Sequence, residues 1–250
     1  IEAISEQYQR QAQRVTVQGE ASQLLIQQMF YEVPPEAKTL FLCQLLNDLA
    51  PESAVVFCNH KAGIQEIQTY LRQQGASVDA LHGDLEQWDR DRVMAKFRNQ
   101  SIRILLATDL AARGIDIKEL SLVVNYDLPF KSEVYTHRIG RTGRAGSQGI
   151  AVTLLTPRDR RKMEAMDSVL PADYEIEKAR VPAQQSRFSF QPASMITLEI
   201  AAGRKDKLRP GDIQGALTGE AAGLDKTQVG KFEIHDRFAY VAVARSVGKQ

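Results

Sequence analysis

Two cysteines, one tryptophan and four histidines are the whole supply of the rarer reactive side chains in 250 residues. Cys43 and Cys58 each sit inside an apolar stretch, so they are expected as buried thiols of a reducing compartment and not as a disulfide. No grouping of Cys and His has metal-ligand spacing, which leaves a structural zinc without ligands. No apolar run approaches the ~20 residues that span a bilayer. The opening IEAISEQYQR lacks the charged-then-apolar pattern of a secretory leader. No membrane partner and a cytoplasmic location are therefore expected. A surplus of one charge sign is missing too: 32 Lys+Arg stand against 31 Asp+Glu, a net +1. A protein that coats nucleic acid is usually more basic, so any RNA binding here must run through local clusters. The chain does not begin with Met and looks cut from something longer; residues 1–17 have the pattern of a polar helix followed by a short strand, RVTV.

What is present is a regular alternation. IQQMFYEV (26–33) is strand-like, and EAKTLFLCQLLNDL (36–49) has helical apolar spacing after two prolines. AVVFCN (54–59) is a continuous apolar run of the buried-strand type, and KAGIQEIQTYLRQQG (61–75) is a helix closed by a glycine. The strings 76–81, 102–108, 122–126 and 149–156 are expected as strands, and 86–100, 132–140 and 157–170 as helices. Strands and helices in turn, joined by short connections, imply parallel βαβ units: a twisted α/β sheet with helices on both faces. Functional groups in such folds collect at the C-terminal ends of the strands. VPAQQSRFSFQPAS (181–194) breaks the pattern and is expected as a linker. Behind it, MITLEIAAG, RPGDIQGALTGEAAG, VGKFEIH and RFAYVAVAR give a β-α-β-β order, the first part of an α+β domain, and SVGKQ has the look of a further helix broken off.

Three strings carry chemistry. HRIGRTGRAG (137–146) puts His137, Arg141 and Arg144 at i, i+4 and i+7, while its glycines argue for a helix ending near Gly140. Arginines among glycines suit a phosphate-rich ligand, although a solvated basic loop has the same composition. LLATDLAARGIDI (105–117) ends a buried strand in Thr108-Asp109 and continues to Arg113, Gly114 and Asp116. Asp109 is expected to cap the next short helix. The third string pairs VVFCNHK with LHGDLEQWDRDRVMAKFR, so that Asn59, Lys61 and Gly83 follow strand ends and Arg90 lies on the next helix. Asp84 is a candidate cap there, and Trp88, Val93, Met94 and Phe97 are a candidate core face, with an exposed Trp88 the alternative.

Together these strings resemble the DEAD-box RNA helicases of superfamily 2. The resemblance implies a RecA-like helicase domain over about 20–180, with 1–19 the remnant of a preceding N-terminal RecA-like domain. It implies that Arg144 is an arginine finger for ATP, with Arg141 beside it, and that His137 contacts the acidic motif of the partner domain. Asp116 would hold the ribose and Arg113 would bridge to the RNA path, which Thr108 and Gly114 line. Lys61, Asn59, Gly83 and Arg90 would serve RNA phosphates or cleft geometry. A G-x-x-x-x-G-K-[ST] phosphate loop and an acidic Mg²⁺ motif do not occur in the sequence. The family keeps both in the N-terminal domain, so of ATP with Mg²⁺ the metal would be held there, and this chain alone would be inactive.

Residues 195–250 resemble an RNA-recognition-motif (RRM-like) domain, incomplete at its C-terminus. RFAYVAVA stands where the aromatic RNP1 element would be, with Phe238 and Tyr240 at the base-stacking positions. Asp236, Arg237 and Val243 depart from the pattern. If the two aromatic residues pack on a neighbouring element instead, nucleic acid would fall to Arg204, Lys205, Lys207, Arg209, Lys231, Arg237 and Arg245. LRPGDIQGALTG (208–219) resembles a stretch of bacterial DEAD-box helicases that carry such a tail. That resemblance implies a 23S rRNA hairpin and pre-50S ribosomal particles as partners. A non-catalytic RNA-binding scaffold and a DNA helicase are the alternatives.

Overall fold

The computed structural model describes residues 26–112, 119–143, 148–184, 186–220 and 222–247. Among the described residues seven strands form one sheet in the order β3-β4-β2-β5-β6-β1-β7. They are β1 (Ile26–Glu32), β2 (Ala54–Cys58), β3 (Val78–Leu81), β4 (Ile104–Thr108), β5 (Leu122–Asn125), β6 (Gly149–Leu155) and β7 (Ile176–Lys178). Every pairing is parallel. Helices α1 (Lys38–Leu49), α2 (Lys61–Gln73), α3 (Gln87–Arg98), α4 (Asp109–Ala112), α5 (Ser132–Ile139) and α6 (Arg160–Glu164) fill the connections. This is the RecA-like α/β architecture.

The apolar runs become strands because both of their faces are covered. In β2, Ala54, Val56 and Cys58 point into the layer shared with α1 and α2. Val55 and Phe57 point into the opposite layer, with Val93, Met94 and Phe97 of α3. Each buried Val, Leu, Ile or Phe contributes roughly 1.5–3 kcal/mol, so a strand buried on both faces is anchored along its whole length. A third cluster joins Phe30 and Leu155 to Tyr135, Ile139 and Met163 of α5 and α6.

Three expectations need correcting. Residues 157–170 are not one helix. Thr156 and Asp159 form a capping box, with both the backbone N–H and the hydroxyl of Thr156 on the Asp159 carboxylate at 2.9 and 2.7 Å, and this starts a 3₁₀ turn at Pro157. Only Arg160–Glu164 is α-helical, and Asp167–Val169 turns again as 3₁₀. β7 was not expected: all three of its residues are exposed, so it carries no apolar signal. Asp84 does not cap α3, whose N-cap is Glu86.

β3 is an edge among the described residues, and it carries a buried acid. Asp79 is 7% exposed and accepts from Arg72, from Lys96 Nζ at 3.1 Å and from Gln68 Nε2 at 3.3 Å. Arg72 Nε also donates to the Val78 carbonyl at 3.2 Å.

Residues 181–194 contain no helix or strand among the described residues, yet they are held. Phe188 and Phe190 pack on the core layer of α1 and α2. Ser189 N–H donates to Asn47 Oδ1 at 2.9 Å, and Arg103 Nη1 donates to Gln191 Oε1 at 3.1 Å. A second, antiparallel sheet follows in the order β8-β10-β9: β8 (Met195–Ile200), β9 (Val229–Ile234) and β10 (Ala239–Ala244). Helix α7 (Pro210–Thr218) covers one face of it through Ile213, against Ala239 and Val241.

Candidate functional site

The C-terminal ends of β2, β4 and β5 meet around one buried cation. Arg138 of α5 is 1% exposed. Its Nε and Nη2 donate to the two oxygens of Asp109 at 2.6 and 2.7 Å. Nη2 also reaches Asn59 Oδ1 at 2.9 Å, and Nη1 reaches the Asp127 carbonyl at 2.7 Å and Asn125 Oδ1 at 3.2 Å. The guanidinium lies over the Phe57 ring, 5.1 Å from its centroid. A buried guanidinium is tolerated because its donors are met by a carboxylate and by carbonyl oxygens in fork geometry. Asp109 is therefore not a cap; its carboxylate is committed to Arg138.

This network fixes the loops that follow the strands. Asn59 uses its oxygen on Arg138 and its Nδ2 on the Leu128 carbonyl at 2.9 Å, so the side chain positions loops rather than facing solvent. Its backbone N–H donates to Asp127 Oδ2 at 3.0 Å, and Lys38 Nζ pairs with Asp127 Oδ1 at 3.3 Å. Arg90 donates through Nη2 to the Ala111 carbonyl at 3.1 Å, pinning α4 to α3. Lys61 and Asp84 pair at 2.6 Å on the surface, which links the loop after β2 to the loop after β3. The Lys61 hydrogen bond holds the Asp84 carboxyl below its usual range, against the opposing effect of burial. Gly83 has open space where a side chain would go. Thr108 ends β4 opposite Cys58 and is half-buried.

His137 is exposed on α5, and helix α5 ends at Ile139 with Gly140 as its C-cap, as the glycines suggest. His137, Arg138 and Arg141 line one pocket of about 60 Å³ with Phe57, Asp109, Ala112 and Val134. The turn beyond α5 is held tightly. Thr142 is buried and its hydroxyl donates to the Leu120 carbonyl, while Gly143 takes φ +68°. A Cβ on Gly149 would run into Thr142 and the Gly143 backbone. Leu110 on α4 and Phe130 after β5 stand exposed at the same end of the sheet, at 72% and 68%. Arg113, Gly114, Asp116 and Arg144 lie outside the described residues. Arg138 was missed by the motif reading, which followed the 137–141–144 face. The signal was there: Tyr135, Arg138 and Ile139 share the buried face of α5.

In the second domain the basic residues gather on two joined loops. Arg204 and Lys205 donate their backbone N–H groups to the carbonyls of His235 and Asp236, both at 2.9 Å. Their side chains lie 4.0 and 3.7 Å from Asp236, at 71% and 63% exposure. Lys207, Arg209, Lys231 and Arg237 are exposed as well, whereas Arg245 is half-buried and donates to the Ala193 carbonyl at 2.5 Å. The aromatic pair behaves otherwise. Tyr240 is fully buried, and Phe238 stacks on Trp88 of α3 at 5.0 Å. In this arrangement neither offers a free face to a base, because the first domain packs against them.

Comparison with known proteins agrees with both halves of this description. The helicase conserved C-terminal domain matches residues 37–146, and the DbpA RNA binding domain matches residues 197–250. The chain is 42% identical over 247 residues to the ATP-dependent RNA helicase DbpA of Escherichia coli, covering 99% of this chain and 53% of that protein. It spans about half the length of the curated DbpA relatives it matches. The solved C-terminal domain of the DEAD-box protein Dbp5 superposes with a TM-score of 0.57 at 32% identity, covering 62% of this chain and 89% of that one. Saccharomyces cerevisiae Dbp5 bound to RNA and ADP BeF3 gives 0.56 at 33% identity, covering 62% of this chain and 41% of that one. The chain belongs to the DEAD-box RNA helicases, carrying their C-terminal helicase domain followed by an RNA-binding domain of the DbpA type.

Proposed function

We propose that the whole protein is a cytoplasmic ATP-dependent RNA helicase that unwinds short duplexes, and that this chain supplies one wall of its nucleotide cleft and its RNA-targeting module. The observation that carries this reading is the strand-end pocket, where His137 and Arg141 line one surface braced from behind by the Arg138–Asp109 network. The set fits a polyanion. Its lining includes the Arg141 guanidinium, and its half-buried Asp109 carboxylate is already paired with Arg138, which lessens its repulsion of phosphate. A pocket of about 60 Å³ is one wall of a nucleotide site, and the exposed Leu110 and Phe130 beside it suit closure by a second domain.

When bound, ATP supplies a phosphoryl bond whose cleavage resets the enzyme. Arg141 and Arg144 would stabilise charge on the phosphates. His137 would meet the N-terminal RecA-like domain, and Asp116, with Arg113, would hold the ribose side. Mg²⁺ would belong to the N-terminal domain, and this chain alone would hydrolyse no ATP. Thr108, Gly114, Gly83, Lys61 and Arg90 would line the RNA path, with Asn59 positioning it. The basic loops around Arg204, Lys205, Lys207, Arg209 and Arg237, with Lys231, would carry the module's phosphate contacts, and a 23S rRNA hairpin of the pre-50S particle is the proposed target. The boundaries 20–180, 181–194 and 195–250 are proposed as helicase domain, docked linker and RNA module.

The test is RNA-stimulated ATP hydrolysis and duplex separation by the whole protein. Arg141→Ala is expected to lower kcat by about 10³-fold or more while leaving RNA affinity within about twofold. RNA binding with no hydrolysis in the unmodified protein would instead identify a scaffold. Equal affinity for the 23S rRNA hairpin and a scrambled hairpin would remove the rRNA target alone.

A further inference from the structure

The face of the second sheet that α7 leaves uncovered is covered by the helicase domain. Strand period fixes which residues share it: Tyr240 lies opposite Glu199 and Glu233, and Ala242 lies opposite Thr197. Among the described residues, several side-chain bonds between the domains come from this face or its margin. Glu233 pairs with Arg98 of α3 at 2.9 Å, and Thr197 meets the Ser101 hydroxyl at 2.6 Å and Asn99 Nδ2 at 3.4 Å. Phe238 stacks on Trp88 at 5.0 Å with an interplanar angle of 27°, and His235 stacks on Phe238 at 4.5 Å with an angle of 20°. This is how consecutive bases are held: flat rings piled on an aromatic residue of the strand. Trp88 stands in the place of a base.

The closure leaves a defect. The Tyr240 hydroxyl and His235 Nε2 are buried there with no hydrogen-bond partner among the described residues. Burial pushes the Tyr240 hydroxyl up to about 12, with Glu199 next in weight and Arg92, Asp91 and Asp89 of α3 also acting on it. Buried polar groups without partners weaken the contact that buries them. A ligand with flat rings and hydrogen-bonding edges would answer both needs, and unpaired nucleobases have both.

We propose that the aromatic face of the RNA module is closed by its own helicase domain, with Trp88 as a surrogate base, and that single-stranded RNA opens it by displacing Trp88 from Phe238. The proposal rests on the reading that the module binds RNA. It makes the module's affinity for unpaired RNA depend on a residue in the helicase domain.

Trp88 is the single tryptophan of the chain, so its emission reports the contact directly. The experiment titrates the chain with labelled oligouridine, reading anisotropy for binding and Trp88 emission for displacement. Emission is expected to change along the binding curve. Trp88→Ala is expected to bind roughly threefold to tenfold more tightly, the range set by a lost aromatic stack. Arg98→Gln is expected to tighten binding too, although the loss of a cation by itself would weaken it, so this variant separates undocking from charge. Phe238→Ala is expected to weaken binding in the Trp88→Ala background. If oligouridine binds while Trp88 emission stays constant, or if both variants bind no more tightly, the surrogate-base contact is overturned and the RNA-binding reading stands. If no variant binds RNA, that reading fails and the inference fails with it.

Discussion

At the scale of single residues, Arg138 carries more of the site than the arginines that the motif advertises. It is buried, and it meets oxygens from the ends of three strands. Arg138→Ala is expected to destabilise the chain by about 3–5 kcal/mol, because the buried Asn125 and the half-buried Asp109 lose their partner and a large buried side chain is removed. The exposed His137→Ala is expected to stay within about 0.5 kcal/mol. Urea midpoints of the two variants check the contrast; equal midpoints would mean that the network is solvated. The two thiols make a second prediction. Burial pushes Cys43 and Cys58 up to about 12 from 9.0. Their folded values lie above their unfolded ones, so the stability they lend is complete below about pH 9 and is lost as pH climbs towards 12. At pH 8 a thiol reagent is expected to label neither cysteine in the folded chain and both in urea.

At the scale of elements, the helix ends show where the sequence could be understood and where it could not. The runs that became β2, β4, β5 and β6 were legible because strands buried on both faces must be apolar without interruption. The end of α5 was legible because Gly140 and Gly143 cannot extend it. The break of 157–170 was not, since Arg160–Leu170 keeps an apolar spacing that a helix would share, and the capping box at Thr156 and Asp159 only sets where the turn begins. For Arg138 the face it shares with Tyr135 and Ile139 was legible, but its partners were not, because they come from strand ends far apart in sequence. The end of α1 offers a simple test of local chemistry. Ala50 takes φ 41°, ψ 48°, the left-handed cap conformation that favours glycine. Its carbonyl and that of Pro51 accept from Arg103, both at 2.9 Å, which holds the turn despite the strain. Ala50→Gly is expected to raise stability by about 0.5–1 kcal/mol by relieving it, seen as a higher thermal midpoint.

At the scale of the whole molecule, the two sheets form a continuous body through a docked connection rather than a loose string. The sequence announced the connection by its lack of period, but Phe188 and Phe190 were the clue that it is fastened down. The fate of Phe238 and Tyr240 was undecidable from sequence, because a strand pattern says which residues share a face and not what lies over it. Docking through that face turns the basic loops at Arg204, Lys205 and Arg237 into the exposed part of the module. With a net charge of +1, the chain then presents its positive potential as a local patch.

Asp79 also matters beyond the domain that contains it. A parallel sheet ending in a four-residue strand leaves a row of backbone groups to which another molecule's strand can add. A carboxylate set inside that rim, gripped by Arg72 and Lys96, makes such an addition costly, and Arg72 Nε already occupies the Val78 carbonyl. This placement predicts that Asp79 disfavours self-polymerisation, a role that assays of ATP or RNA would not register. Asp79→Val would keep the strand's apolar pattern and its fold while opening its margin. Light scattering at rising concentration is expected to stay flat for the native chain and to climb for the variant, so that the chain's colloidal behaviour in a crowded cell hangs on one buried acid.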